Sequence, residues 1–119
     1  MMTIYTIGFE GRNAGPFFEA IRREKIQLVI DVRLLNTADY ALFTRDGDIQ
    51  YFLRELCGAE YVRALDLAPT KQLLSDYHAG TVSWQEYVPI FQALMEERGS
   101  CRSFMERFGG YERVCLLCF

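Results

Sequence analysis

The chain has 119 residues, 50% of them hydrophobic, so it is long enough for one core and too short for two ordinary domains; one domain over residues 1–119 is expected. Lys and Arg number 13 against 16 Asp and Glu, a formal charge of -3 whose field would repel a polyanion, so broad nucleic-acid binding is not expected. The opening Met1-Met2-Thr3-Ile4 lacks a basic segment followed by a long apolar one, and no run approaches the roughly 18 apolar residues that span a bilayer, so neither export nor a membrane partner is expected.

Residues 3–7 form a short β-rich run stopped by Gly8. Gly15-Pro16 then marks a helix start, with Pro at a tolerated first position, and Phe17, Phe18, Ala20 and Ile21 supply an apolar stripe to about Lys25. Residues 27–32 are a second strand whose Leu28-Val29-Ile30 suits burial on both faces, which completes a strand, helix, strand unit. Residues 34–44 read as irregular. Asp48 is placed to cap a helix in which Ile49, Phe52, Leu53 and Leu56 recur at helical spacing until Gly58 ends it.

A third strand is expected over residues 60–65, and Pro69-Thr70 opens a short helix that runs to His78 before Gly80. Ser83-Trp84-Gln85-Glu86 spells a capping box, with Val82 and Tyr87 placed as a hydrophobic staple, and the helix it starts extends to about Arg98. Pro89 removes one backbone bond inside that helix, so a bend or an irregular first turn is expected. Residues 100–108 form another helix, Gly109-Gly110 break it, and residues 112–118 are the last strand. Strands alternating with helices give an α/β fold in three layers: a mainly parallel sheet of about four strands flanked by helices.

Cys57, Cys101, Cys115 and Cys118 read as reduced thiols of a cytoplasmic protein, because a chain this rich in Phe and Tyr can build a core without disulfides. Cys115 and Cys118 have the spacing of a redox or zinc pair, but positions three apart on a strand point to opposite faces. No metal or cofactor is expected. His78, the sole histidine, sits at a helix end where a cation is ordinary, and the helical spacing of Trp84, Tyr87 and Phe91 favours core packing over a stacking platform.

Ligands of open parallel sheets bind outside the carboxyl ends of the strands, where loops feed helix N-termini. Two segments qualify. Gly8-Phe9-Glu10-Gly11-Arg12 follows the first strand, and its glycines permit close backbone approach beside a carboxylate and a guanidinium; these five are the candidate ligand-binding residues. Asp31-Val32-Arg33 ends the second strand, and positions two apart share a face, so Asp31 and Arg33 are the candidate catalytic residues. The alternative for Asp31 is an ion pair or loop clamp with Arg33 or Arg12. Thr44, Arg45 and Arg54 are weaker candidates for the same mouth.

Thr6-Ile7-Gly8-Phe9-Glu10-Gly11-Arg12, Asp31-Val32-Arg33, Phe43, Glu60-Tyr61-Val62, Ser83-Trp84-Gln85-Glu86-Tyr87 and Val114-Cys115-Leu116-Leu117-Cys118-Phe119, in that order, resemble the bacterial and archaeal family called Domain of Unknown Function 488. The resemblance covers almost the whole chain and implies an α/β fold with a parallel sheet, in a family without an established activity. Where members carry a proline and a Ser-Arg pair after Asp-Val-Arg, this chain has Asn36, Ala38 and Asp39; where they carry histidine and glycine after Tyr-Val, it has Arg63 and Ala68.

Two functions follow. The first is an enzyme or degenerate enzyme that binds a small anionic, phosphate- or nucleotide-like ligand, held by Arg12 and Arg33, with Asp31 as orienting group or base. The alternative is a non-catalytic module that binds a protein or nucleic acid; an exposed edge strand or helix face would also allow a homo-oligomer.

Overall fold

A computed structural model describes residues 1–35 and 41–118. Asn36, Ala38 and Asp39, singled out above, and Phe119 lie outside the described residues. One sheet of four parallel strands orders them β1 (Thr3–Gly8), β4 (Arg113–Cys118), β2 (Leu28–Asp31) and β3 (Glu60–Arg63). The last strand in sequence therefore pairs with both halves of the first strand, helix, strand unit, Ile4 standing opposite Val114 and Leu28 opposite the same Val114.

Strand alternation divides the core into two. Val29, Cys115, Leu117 and Ile7 face α1 (Ala14–Arg23) and the segment of α2 (Asp48–Phe52) and the π-helical turn Leu53–Cys57, where Phe17, Phe18, Ile21, Ile49 and Leu53 are buried against them. Leu28, Ile30 and Val114 face the opposite way and meet Phe108 of α5 (Ser100–Phe108). The remaining helices, α3 (Lys71–His78) and α4 (Trp84–Arg98), form a hairpin.

The elements match their expected places within a few residues, with three differences. Gly47, not Asp48, is the N-cap of α2; Asp48 lies in the first turn, and the helix widens into the π-helical turn before Gly58, at φ +63°, ends it. The third strand stops at Arg63, and Leu65–Leu67 is a 3-10 turn. The rings of Trp84, Tyr87 and Phe91 are not core: no residue of α4 is buried, and Trp84 is 60% exposed. Helical spacing aligned these rings on one face, but that face is only partly covered, by Tyr77 of α3 at one end, so they pack on one another and Trp84 stays exposed.

β1 is an edge strand, and its Ile4 is exposed. Thr70 caps α3 by accepting from the Leu73 amide, and Ser83 and Glu86 form the reciprocal capping box of α4. Among the described residues no helix is long and apolar enough to cross a membrane.

The four cysteines are free thiols. Burial pushes the Cys115 thiol up to about 12 from an ordinary 9.0, with Cys118 adding to the shift. Two consequences follow for solution behaviour. The unfolded chain ionises Cys115 at a lower pH than the folded one, so this thiol stabilises the fold below about pH 9 and its contribution is lost as pH rises toward 12. In a native thiol titration with a disulfide reagent, exposed Cys101 is expected to react first and Cys115 only when the fold opens; prompt labelling of Cys115 at neutral pH would contradict this.

Candidate functional site

The sequence pairs Asp31 and Arg33 across one residue, and β2 sets their side chains on the α1 face of the sheet. Both are buried, Asp31 fully and Arg33 to 3% exposure. Asp31 Oδ1 accepts from the Arg33 backbone amide at 3.0 Å and from Arg33 Nε at 2.9 Å, while Oδ2 accepts from Arg33 Nη2 at 2.7 Å and from the Tyr61 hydroxyl at 2.6 Å. Neither carboxylate oxygen lacks a donor.

The guanidinium is equally occupied. Nη1 donates to the Thr44 hydroxyl at 3.1 Å, Nη2 donates to the Thr44 carbonyl at 2.7 Å, and Phe9 lies under its carbon at 5.1 Å from the ring centre. Thr44, at the end of the 3-10 turn Leu42–Thr44, donates a hydrogen bond from its own hydroxyl to the Ala41 carbonyl at 2.9 Å. Asp31, Arg33, Thr44, Tyr61 and Phe9 thus form one network that ties the end of β1, β2, β3 and the turn before α2 together. A buried ion pair is tolerable only when its other polar atoms also find partners, and here both carboxylate oxygens and all three guanidinium nitrogens are hydrogen-bonded.

Arg63, paired in register with Asp31, extends the network to the chain leaving β2: its Nη2 donates to the carbonyls of Arg33 at 3.1 Å and Leu34 at 2.8 Å. Its Nε is buried with no hydrogen-bond partner among the described residues. Arg45 and Arg54 do not join the cluster; both are exposed, and Arg54 pairs with Glu55 and lies over Tyr51. Arg12 is not the partner of Asp31.

The other expected segment is open. After β1, Phe9 turns inward and is buried, whereas Glu10, Gly11 and Arg12 are exposed. The Arg12 amide donates to the Phe9 carbonyl at 3.0 Å, and Gly11 takes φ +71°, a left-handed value that favours glycine. Asn13 is the N-cap of α1, but its side chain caps nothing. A cavity of about 500 Å³ opens beside this helix start, lined by Ala14, Gly15, Phe18, Arg22, Phe43 and Phe52 among others. Glu19 also lines it, held below the usual carboxylate range by its hydrogen bond to Arg22.

Tyr61 carried no chemical signal of its own in the sequence; its role follows only from β3 lying beside β2. The model of a family described as a domain of unknown function, DUF488, matches residues 13–119. The chain belongs to the DUF488 family. The DUF488 match takes in Asp31, Arg33, Thr44 and Tyr61 and begins just beyond residues 8–12. Neither the comparison with curated proteins nor that with solved structures returns a match.

Proposed function

We propose that this DUF488 chain binds a small anionic, phosphate- or nucleotide-like ligand at the turn after β1 and the start of α1, and that Asp31 and Arg33 hold the site together rather than react. The observation that carries this reading is the pairing of an uncapped, exposed helix start with the adjoining aromatic cavity. Ala14 and Gly15 have no side-chain cap, Arg12 is exposed just before them, and half-buried Phe43 and Phe52, with buried Phe18 behind them, line the cavity that a planar group would enter. A base must reach the proton it removes, and the four donors on Asp31 leave it no free lone pair directed outward. The reading is therefore of a degenerate enzyme or a binding protein on an enzyme-like scaffold.

Titration of the isotope-labelled protein with adenosine monophosphate and with inorganic phosphate tests it. Amide shifts of Gly11, Ala14 and Gly15 are expected to saturate with both, and Arg12→Ala is expected to weaken binding about tenfold, the loss of one charge-assisted hydrogen bond. Amides in residues 8–15 that stay unmoved, or shifts indifferent to Arg12→Ala, would overturn the reading.

A further inference from the structure

Tyr77 on α3 and Trp84, Tyr87 and Phe91 on α4 form one aromatic ladder at the surface. Trp84 stacks on Tyr87 with ring centres 5.4 Å apart and planes 13° apart, and Tyr87 stacks on Phe91 at 5.9 Å and 10°. Tyr77 meets the edges of this stack, 5.9 Å from Trp84 and 5.2 Å from Tyr87. The outer end is open to solvent, since Trp84 is 60% and Tyr77 37% exposed. At the inner end Tyr87 and Phe91 join Val32, Leu34, Leu74 and Cys118 around a cavity of about 200 Å³ above the carboxyl ends of β2 and β4; Arg33 also lines it, but is 3% exposed and its guanidinium is held by Asp31 and Thr44. The ladder thus leads from solvent to an apolar recess with room for one side chain.

Charge on the same hairpin is mainly negative, with Lys71 at the start of α3 and Arg98 at the end of α4 as its two full cations. Between Lys71 and Arg98 the sequence holds Asp76, Glu86, Glu96 and Glu97 and no Lys or Arg. Hydrogen bonds from Ser83 hold the Glu86 carboxyl below the usual carboxylate range, so it stays ionised. Arg98, at the far end of α4, spends its Nη1 on the carbonyls of Asp66 and Ala68. A nucleic acid stacked on these rings would bring phosphates against carboxylates, with the full cations Lys71 and Arg98 only at the start of α3 and the end of α4. A basic partner meets the opposite situation: Trp is the best ring for a cation, and Arg stacks on it well.

We propose that the ladder docks a basic peptide segment of a partner protein, with an Arg or Lys stacked on the outer face of Trp84 and a neighbouring apolar side chain seated in the recess beside Tyr87 and Phe91. This surface is separate from the anion site at α1 and stands whether or not that site binds.

Trp84 is the sole tryptophan and reports directly on the event. A synthetic hexapeptide, Arg-Leu-Arg-Arg-Leu-Arg, is expected to change Trp84 fluorescence saturably, and the same peptide with Glu for Arg is expected to leave it unchanged. Calorimetry of Trp84→Ala should show binding of the arginine peptide weakened about tenfold. Glu86→Gln, which keeps a capping box while removing the charge, should weaken it about threefold. Trp84→Ala binding as tightly as the parent protein would mean unspecific charge attraction and overturn the proposal. So would stronger binding of a single-stranded oligonucleotide, or a Trp84 signal that changes with protein concentration alone and so reports a second copy.

Discussion

Replacing Asp31 by alanine is expected to destabilise the fold by about 3–5 kcal/mol, because it leaves the Arg33 guanidinium buried and charged without its carboxylate. The loss goes beyond the ion pair: the Arg33 amide, its Nε and the Tyr61 hydroxyl lose their acceptor in the same step. Urea unfolding followed by circular dichroism measures it as a fall in midpoint at unchanged slope. The double variant Asp31→Leu with Arg33→Met should recover much of the loss, since a buried pair replaced by apolar groups of similar size is often neutral or stabilising. If the single variant costs less than about 1 kcal/mol, the network is not the tie between strands described above. Arg33→Lys is no conservative alternative, because an ammonium cannot bridge Asp31 and both Thr44 oxygens in one planar fork.

The network shows where the sequence was legible and where it was not. Asp31 and Arg33 share a face by strand periodicity alone, so their pairing was readable, as one of two alternatives, from three consecutive residues. The capping box at Ser83 was readable because both of its hydrogen bonds close within four residues. Tyr61 was not, because its contact with Asp31 depends on β3 lying next to β2, and strand order is a nonlocal property that hydrophobic runs do not encode. Thr44 could be guessed only as a neighbour of the mouth, since its bonds to Arg33 depend on the path of the intervening loop. The aromatic face of α4 was misread for a related reason: period 3.6 reports which side chains share a face but not whether another element covers it.

Two large aromatics drawn from equally regular helical patterns should therefore behave oppositely on truncation. Phe17→Ala is expected to cost about 3–5 kcal/mol, for Phe17 is fully buried, meets Phe18 edge-on at 5.0 Å and lies 5.4 Å from Phe43 in the core that also holds Phe9 and Val29. Little in that core can collapse into the space, since its neighbours are rings fixed by the sheet and by the turn before α2. Trp84→Ala removes a larger side chain yet is expected to cost only about 1 kcal/mol, the value of its stacking on Tyr87 with little burial behind it. Parallel urea titrations of the two variants decide the matter, and equal losses would mean that the α3 and α4 hairpin is covered in solution. The small cost at Trp84 also keeps that variant folded, so a loss of peptide binding in it reports on the docking surface and not on unfolding. The large cost at Phe17 reaches the proposed anion site as well, because Phe17 lies in the first turn of α1 and its amide donates to the carbonyl of Asn13, the N-cap beside Ala14 and Gly15.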